Sequence, residues 1–254
     1  MYNAKNMRVG YLTDKGNRRL KNEDSVMVVL QKRFFMLADG VGGNKAGEIA
    51  SRTALDALED YILKNEIPEE QGKDKMFLYF EDAVNFVNEV VCRLSEGVPE
   101  YDGMATTLVF AYIGKDALYI SNIGDSRVYL IHGDEIYQIT EDHTYVNDLI
   151  KMGVITQEEA INHNKKNVIT RAIGEDAYSG PDCFSVNYEK DDKVLMCTDG
   201  LYTELSNEDL LREMLNADDM KTCARTLVDK AKLHGGNDNI SVICIDKMEE
   251  SDEQ

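Results

Sequence analysis

Apolar and polar residues recur along this chain with two different periods, and the switches between them outline a fold. Short β-type runs come first, at Arg8 to Thr13, Ser25 to Leu30 and Arg33 to Ala38. The period then lengthens to that of a helix. Between Gly47 and Asn65, residues such as Ile49, Ala50, Ala54, Leu58 and Ile62 recur on one face. Between Asp74 and Glu96, Met76, Phe80, Ala83, Val87 and Val91 do the same. β-type runs return at Thr106 to Ile113, Ala117 to Ile123 and Arg127 to His132, joined by tight Gly/Asp turns. Residues His143 to His163 read as a small helical excursion. Gly153 ends one turn there, and Thr156-x-x-Glu159 forms a capping box for the next. A strand at Lys193 to Cys197 precedes two helices, the first starting at Ser206 and the second ending at Gly235-Gly236. A last strand runs from Ile240 to Ile245. Helix pairs set between and after blocks of strands suggest α+β layering, with helices outside a β-sandwich.

The composition narrows this picture. The chain has 254 residues, three prolines and no repeat or Pro/Ser-rich linker, so one domain is expected, followed by a short acidic tail at Glu249 to Gln254. With 43% hydrophobic residues it can bury a core without disulfides. The apolar runs, Phe34 to Ala38 among them, are far short of the ~20 residues that cross a bilayer. Residues Met1 to Lys5 carry no apolar signal segment, and a cytoplasmic location is expected. Five cysteines with no C-x-x-C pair read as small core hydrophobes rather than zinc ligands. A net charge of −19 repels the phosphate backbone of nucleic acids and anionic lipids alike, so neither is an expected partner.

Some of the acids recur in one format. Phe34 to Ala38 runs into Asp39-Gly40, Val194 to Thr198 into Asp199-Gly200, and Leu118 to Gly124 into Asp125, while Asp238-Asn239 stands just before the last strand. A single Asp-Gly is an ordinary turn signal. Its recurrence at the ends of apolar strands places carboxylates rigidly at a sheet edge, where scaffolds present their chemistry. Two further segments add to this. Arg19-Leu20-Lys21-Asn22-Glu23-Asp24 joins one guanidinium, which grips phosphate oxygens bidentately, to two adjacent carboxylates suited to hard cations. Asp39-Gly40-Val41-Gly42-Gly43 leads into a helix, and its glycines let the backbone approach an ion or a phosphate closely. Together these residues describe a hard-metal site beside a phosphate anchor.

The ordered set Arg19…Asn22-Glu23-Asp24, Ala38-Asp39-Gly40-Val41-Gly42-Gly43, Ala105-Thr106-Thr107, Asn122-Ile123-Gly124-Asp125-Ser126-Arg127, Cys197-Thr198-Asp199-Gly200-Leu201 and Gly236-Asn237-Asp238-Asn239-Ile240-Ser241 resembles the metal-dependent protein phosphatases of type 2C. Glu141-Asp142-His143-Thr144 and Asn167 to Gly174 are similar to family motifs too. The resemblance spans about residues 8–246 and is nearest to the stand-alone bacterial members.

The resemblance implies a central antiparallel β-sandwich flanked by helix pairs, in α-β-β-α layers. It implies one catalytic domain over residues 1–246, with a flap at about 145–165 and the tail at 247–254. It implies hydrolysis of phosphoserine and phosphothreonine by a water bridging two Mn²⁺ or Mg²⁺ ions. Asp39 would bridge both ions, the Gly40 carbonyl would bind one, and Asp199 and Asp238 would complete the set. Glu23 and Asp24 would hold or ligate metal waters, Asp125 would serve a third, weaker position with Asp199, and Arg19 would bind the substrate phosphate. The implied partners are phosphorylated proteins, substrates of a serine/threonine kinase, acted on by a monomer. The chain departs from the family where histidines are usual, with Val41 after the Asp-Gly and Asn44 after the glycine pair, so no leaving-group acid is assigned. Ala105 stands where glycine is usual and could shift the strand locally, and His143 reads as a structural histidine.

A Cys-x5-Arg phosphate loop and a 12-residue calcium loop are both absent, which argues against a cysteine phosphatase and a calcium sensor. The remaining rival is a non-catalytic pseudophosphatase. Retention of Asp39, Asp199 and Asp238 argues against it.

Overall fold

The computed structural model describes residues 7–41, 46–175 and 178–247, and in it the strand alternation resolves into three layers of core. The readings placed on Gly42, Gly43 and Asn44, and on the acidic tail, lie outside the described residues. In chain order the elements are β1 (Met7–Asp14), β2 (Asp24–Val29), β3 (Phe34–Val41), α1 (Gly47–Lys64) and α2 (Lys73–Gly97). Then come β4 (Ala105–Thr106), β5 (Leu108–Ile113), β6 (Ala117–Ile123), β7 (Arg127–His132), β8 (Glu135–Gln138), α3 (Tyr145–Lys151) and α4 (Gln157–Ile161). β9 (Asp182–Asn187), β10 (Lys193–Cys197), α5 (Asp199–Tyr202), α6 (Asn207–Asn216), α7 (Met220–His234) and β11 (Ile240–Lys247) follow.

Two antiparallel sheets form the sandwich, one ordered β1-β11-β10-β7-β8 and the other β2-β3-β5-β6-β9, with β4 paired to β3. Period 2 decides which layer each side chain enters. From β3, Phe35 and Leu37 point between the sheets to meet Val109, Ile120, Val194 and Ile243. Phe34, Met36 and Ala38 point outward under α1 and α2, beside Leu58, Phe80 and Val87. From β11, Ile243 and Ile245 face inward, while Val242 and Cys244 lie under α7 with Leu227 and Ala231. This is the expected α-β-β-α layering. Among the described residues no helix is long and apolar enough to cross a membrane.

The structure differs from the sequence reading in three places. The run Thr106 to Ile113 is broken at Thr107, which leaves the ladder between β4 and β5 because its N–H donates instead to the Asp39 carbonyl (2.8 Å). Asp39 does not end its strand; β3 continues through Gly40 and Val41, which pair with Thr106 and Ala105. The Ala105 departure therefore leaves the ladder intact. The polar edge strands β8 and β9 and the short α5 lack a strong apolar period and were not expected. The excursion near residues 145–165 holds α3 and α4, with the expected Thr156/Glu159 capping box and Gly153 at φ +69°.

Phe110 is fully buried between Phe34 and Phe80, with ring centroids 6.1 and 4.8 Å away. Phe110→Ala should lower unfolding free energy by about 3–5 kcal/mol in a urea titration. A loss below about 1 kcal/mol would contradict this packing.

Candidate active site

Three local devices bring distant acids to one end of the sandwich. Asp24 opens β2 and pairs with Asp39 in register, so two carboxylates stand side by side on neighbouring strands. Asn239 ties down the loop before β2: its Nδ2 donates to the carbonyls of Lys15 (3.0 Å) and Lys21 (2.9 Å), and its Oδ1 accepts from the Glu23 N–H (2.8 Å). Arg19 and Glu23 are thereby anchored beside Asp238. Two glycines allow the remaining approaches. A Cβ on Gly40 would fall 2.3 Å from the Gly47 carbonyl oxygen, and one on Gly200 would fall 1.9 Å from that of Asn239. Only glycine lets α1 close onto β3 and the start of α5 onto β11, which sets Asp199 near Asp238.

Asp39 is held at its backbone rather than its carboxylate. Its N–H donates to Thr107 Oγ1 (2.9 Å), and its carbonyl accepts from Thr106 Oγ1 (2.9 Å) and from the Thr107 N–H. The side chain is left to face a cleft of about 310 Å³ lined by Arg19, Glu23, Asp39, Gly40, Asp125, Asp199 and Asp238. Of the residues singled out from sequence, all but Asp24 line this cleft. Asp24 is only 7% exposed and stands behind the wall, where its Oδ2 accepts from Thr198 Oγ1 (2.8 Å) and Ser241 Oγ (2.6 Å). Thr107, Thr198, Asn239 and Ser241 all lay in quoted motifs without a role. Their work is hydrogen bonding to groups far off in sequence, which spacing does not reveal. A second cleft of about 500 Å³ lies beneath α3 and α4 and shares Asp125, Asn167 and Asp199 with the first.

The electrostatics are dominated by like charge. Burial raises the Asp39 carboxyl well above the usual range, and the neighbouring Asp24, Asp199, Asp125 and Asp238 raise it further. Asp199 is raised in the same way, by burial and then by Asp125, Asp238 and Asp24. Asp24 is pushed up to about 7, by burial against the lowering pull of its hydroxyl donors. Asp125 rises to about 6 through burial and Asp142. Arg19 Nη2 reaches Asp238 Oδ2 at 2.6 Å and holds a single partner of the five.

Among the described residues, no three His, Cys, Asp or Glu side chains are drawn together tightly enough to hold an ion by themselves. Asp238 instead turns to Arg19 and Asp24 to two hydroxyls. The donor set nevertheless fits hard divalent cations. It is all oxygen, it leaves Asp24 Oδ1 and Asp199 Oδ1 buried without a hydrogen-bond partner, and its members oppose one another's ionisation. Asp39, the Gly40 carbonyl, Asp199 and Asp238 could hold Mg²⁺ or Mn²⁺, completed by water.

A guanidinium set against inward carboxylates, at one end of an α-β-β-α sandwich, suits the binding of a phosphate beside divalent cations. Residues 16–232 match the family model described as Protein phosphatase 2C. The chain is 34% identical to the serine/threonine phosphatase stp of Listeria innocua, over 95% of this chain and 96% of that one. It is 36% identical to protein phosphatase PhpP of Streptococcus pneumoniae, over 97% and 100% of the two chains. Among solved structures, the serine/threonine phosphatase PstP of Mycobacterium tuberculosis superposes with a TM-score of 0.85 at 34% identity, covering 96% of this chain and 99% of that one. A PstP catalytic domain in complex with two manganese ions gives 0.82 at 32%, covering 96% and 99%. The chain belongs to the protein phosphatase 2C family and is a protein serine/threonine phosphatase.

A carboxyl whose pKa is raised in the folded state penalises the ionised fold, so this cluster's contribution to stability falls as pH rises from the unfolded carboxylate range towards about 7. Asp39→Asn removes one of the repelling charges. In EDTA at pH 7.5 it should raise the melting temperature by several degrees, and Mn²⁺ should then stabilise the variant less than the wild type. A lower melting temperature for Asp39→Asn in EDTA would contradict the repulsion.

Proposed function

We propose that this phosphatase hydrolyses phosphoserine and phosphothreonine in other proteins, with divalent cations held at the carboxylate end of the sandwich. The observation that carries the reading is the gathering of Arg19 with Asp39, Asp125, Asp199 and Asp238 in one cleft. Asp39 would be shared between two ions, with the Gly40 carbonyl, Asp199 and Asp238 as further ligands. Glu23 and Asp24 would order water around them, and Asp125 with Asp199 would serve a third, weaker position. Mn²⁺ or Mg²⁺ held there would supply Lewis acidity that lowers the pKa of a water.

The chain's own residues do the rest. Arg19 exchanges its ion pair with Asp238 for the phosphoryl oxygens, holding the ester and spreading the charge that builds on it. Asn239 keeps Arg19 and Glu23 in place through the loop carbonyls it binds. Val41 lines the cleft and has no proton to give, so it does not protonate the leaving alkoxide. Water adds to phosphorus, the P–O bond to the serine or threonine oxygen breaks, and inorganic phosphate and the free hydroxyl result.

The proposal treats residues 1–246 as one catalytic unit, with 145–165 as its flap, acting as a cytoplasmic monomer on proteins phosphorylated by a serine/threonine kinase. The relatives named as serine/threonine phosphatases, and the manganese complex of PstP, support the phosphatase activity and the choice of metal.

Phosphate release from a phosphothreonine peptide should require Mn²⁺ or Mg²⁺ and stop in EDTA. Arg19→Ala should raise KM about 10- to 100-fold, the equivalent of about 1.5–3 kcal/mol for a charged hydrogen bond, with a smaller change in kcat. A fall confined to kcat would show that Arg19 is not the phosphate anchor.

A further inference from the structure

His143 is the most buried histidine among the described residues, 2% exposed at the start of the flap, and all its polar groups are engaged. Its backbone N–H donates to the Gly124 carbonyl (2.9 Å), and its own carbonyl accepts from the Thr170 N–H (2.8 Å) at the far end of the flap. Its ring works between the same segments. Nδ1 accepts from the Gly124 N–H (3.1 Å), and Nε2 lies 3.0 Å from Asp182 Oδ2, at the first residue of β9. The other oxygen of Asp182 is held by Arg171 (2.8 Å), one residue past Thr170.

A nitrogen that accepts from a backbone N–H carries no proton, so the ring is the neutral tautomer with its hydrogen on Nε2, pointing at Asp182. Burial favours this neutral form, and Arg171 and Lys151 add to it, while Asp182 opposes it. What the ring grips is the turn that carries Asp125. Gly124 sits at φ +102°, and a Cβ there would fall 2.5 Å from Thr107 Cγ2. Thr107 in turn holds the Asp39 N–H. The turn is pinned by Thr107, whose Oγ1 lies 3.0 Å from Ser126 Oγ, on one side and by His143 on the other, and Asp125 projects from it into both clefts.

We propose that His143 is a positioning residue for catalysis: its neutral ring fixes the Gly124–Asp125 turn and fastens that turn to both ends of the flap. The flap base and one wall of the active site then move as a unit. This rests on the proposed role of the cleft in phosphoester hydrolysis.

Two substitutions separate the two ring bonds. Asn keeps an acceptor near the position of Nδ1 and gives up the reach to Asp182; Gln reaches Asp182 and gives up the acceptor for Gly124. With p-nitrophenyl phosphate and a phosphothreonine peptide, His143→Gln should lower kcat about tenfold or more, and His143→Asn should stay within about threefold of wild type. The effect should be nearly absent in an Asp125→Ala background, where His143→Gln costs less than about twofold. Equal losses in the two variants, or a His143→Gln loss of full size in Asp125→Ala, would overturn the proposal and leave His143 as a packing residue. Should the variants not fold, ring ¹⁵N shifts of the wild-type protein decide at pH 7. A pyridine-type Nδ1 coupled to the Gly124 amide is expected, and a protonated or Nδ1–H ring overturns the proposal. Absence of turnover by the wild type with either substrate would instead refute the proposed function, while the ring shifts still test the bond.

Discussion

Five aspartates crowd one end of the sandwich, where burial and neighbouring carboxylates raise the pKa of Asp24, Asp39 and Asp199, and the surrounding structure has to hold them there against that repulsion. A loop would relax by swinging its carboxylates into water. Here the acids grow out of rigid elements: Asp39 from within β3, Asp24 from the start of β2, Asp199 from the start of α5 and Asp238 from just before β11. Those elements are fixed by the apolar layers beneath them. Burial that stabilises the sandwich is thus also what brings the charges together, and a cation is the ligand that such a site best accommodates.

The tethers follow the same logic. Thr107, Thr106 and Asn239 bind backbone groups and leave carboxylates facing the cleft, while Gly40 and Gly200 permit approaches that any side chain would block. Arg19 supplies one fixed positive charge and pairs with Asp238. The same guanidinium suits a phosphate, whose own negative charge would be unwelcome without it. The turn at Asp125 is buried, with Asp125 only 7% exposed, and His143 braces it through the Gly124 N–H.

Much of this was legible in the sequence where a strong period or a local signal existed. The helices α1 and α2 followed from their apolar faces, the Thr156 cap from its spacing, and the acids near the strand ends from their repeated format. What escaped had a physical reason. β8 and β9 lie at sheet edges, where half-exposed polar residues blur alternation, and Thr107 leaves its ladder for a contact 68 residues away. The partners that hold the site, such as Thr198 and Ser241 on Asp24, act across 174 and 217 residues, which no local pattern records. The position of Asp24 behind the cleft wall, rather than in it, was likewise visible only once the strands were paired.

The central claim is that these carboxylates exchange protons for divalent cations. Titration calorimetry with Mn²⁺ at pH 7, repeated in buffers of different ionisation heat, tests it directly. Binding should release protons, because Asp24, Asp39 and Asp199 hold theirs more tightly than ordinary carboxyls, and Asp39→Asn should lose most of both binding and release. Mn²⁺ binding without proton release, or release undiminished in Asp39→Asn, would contradict the account.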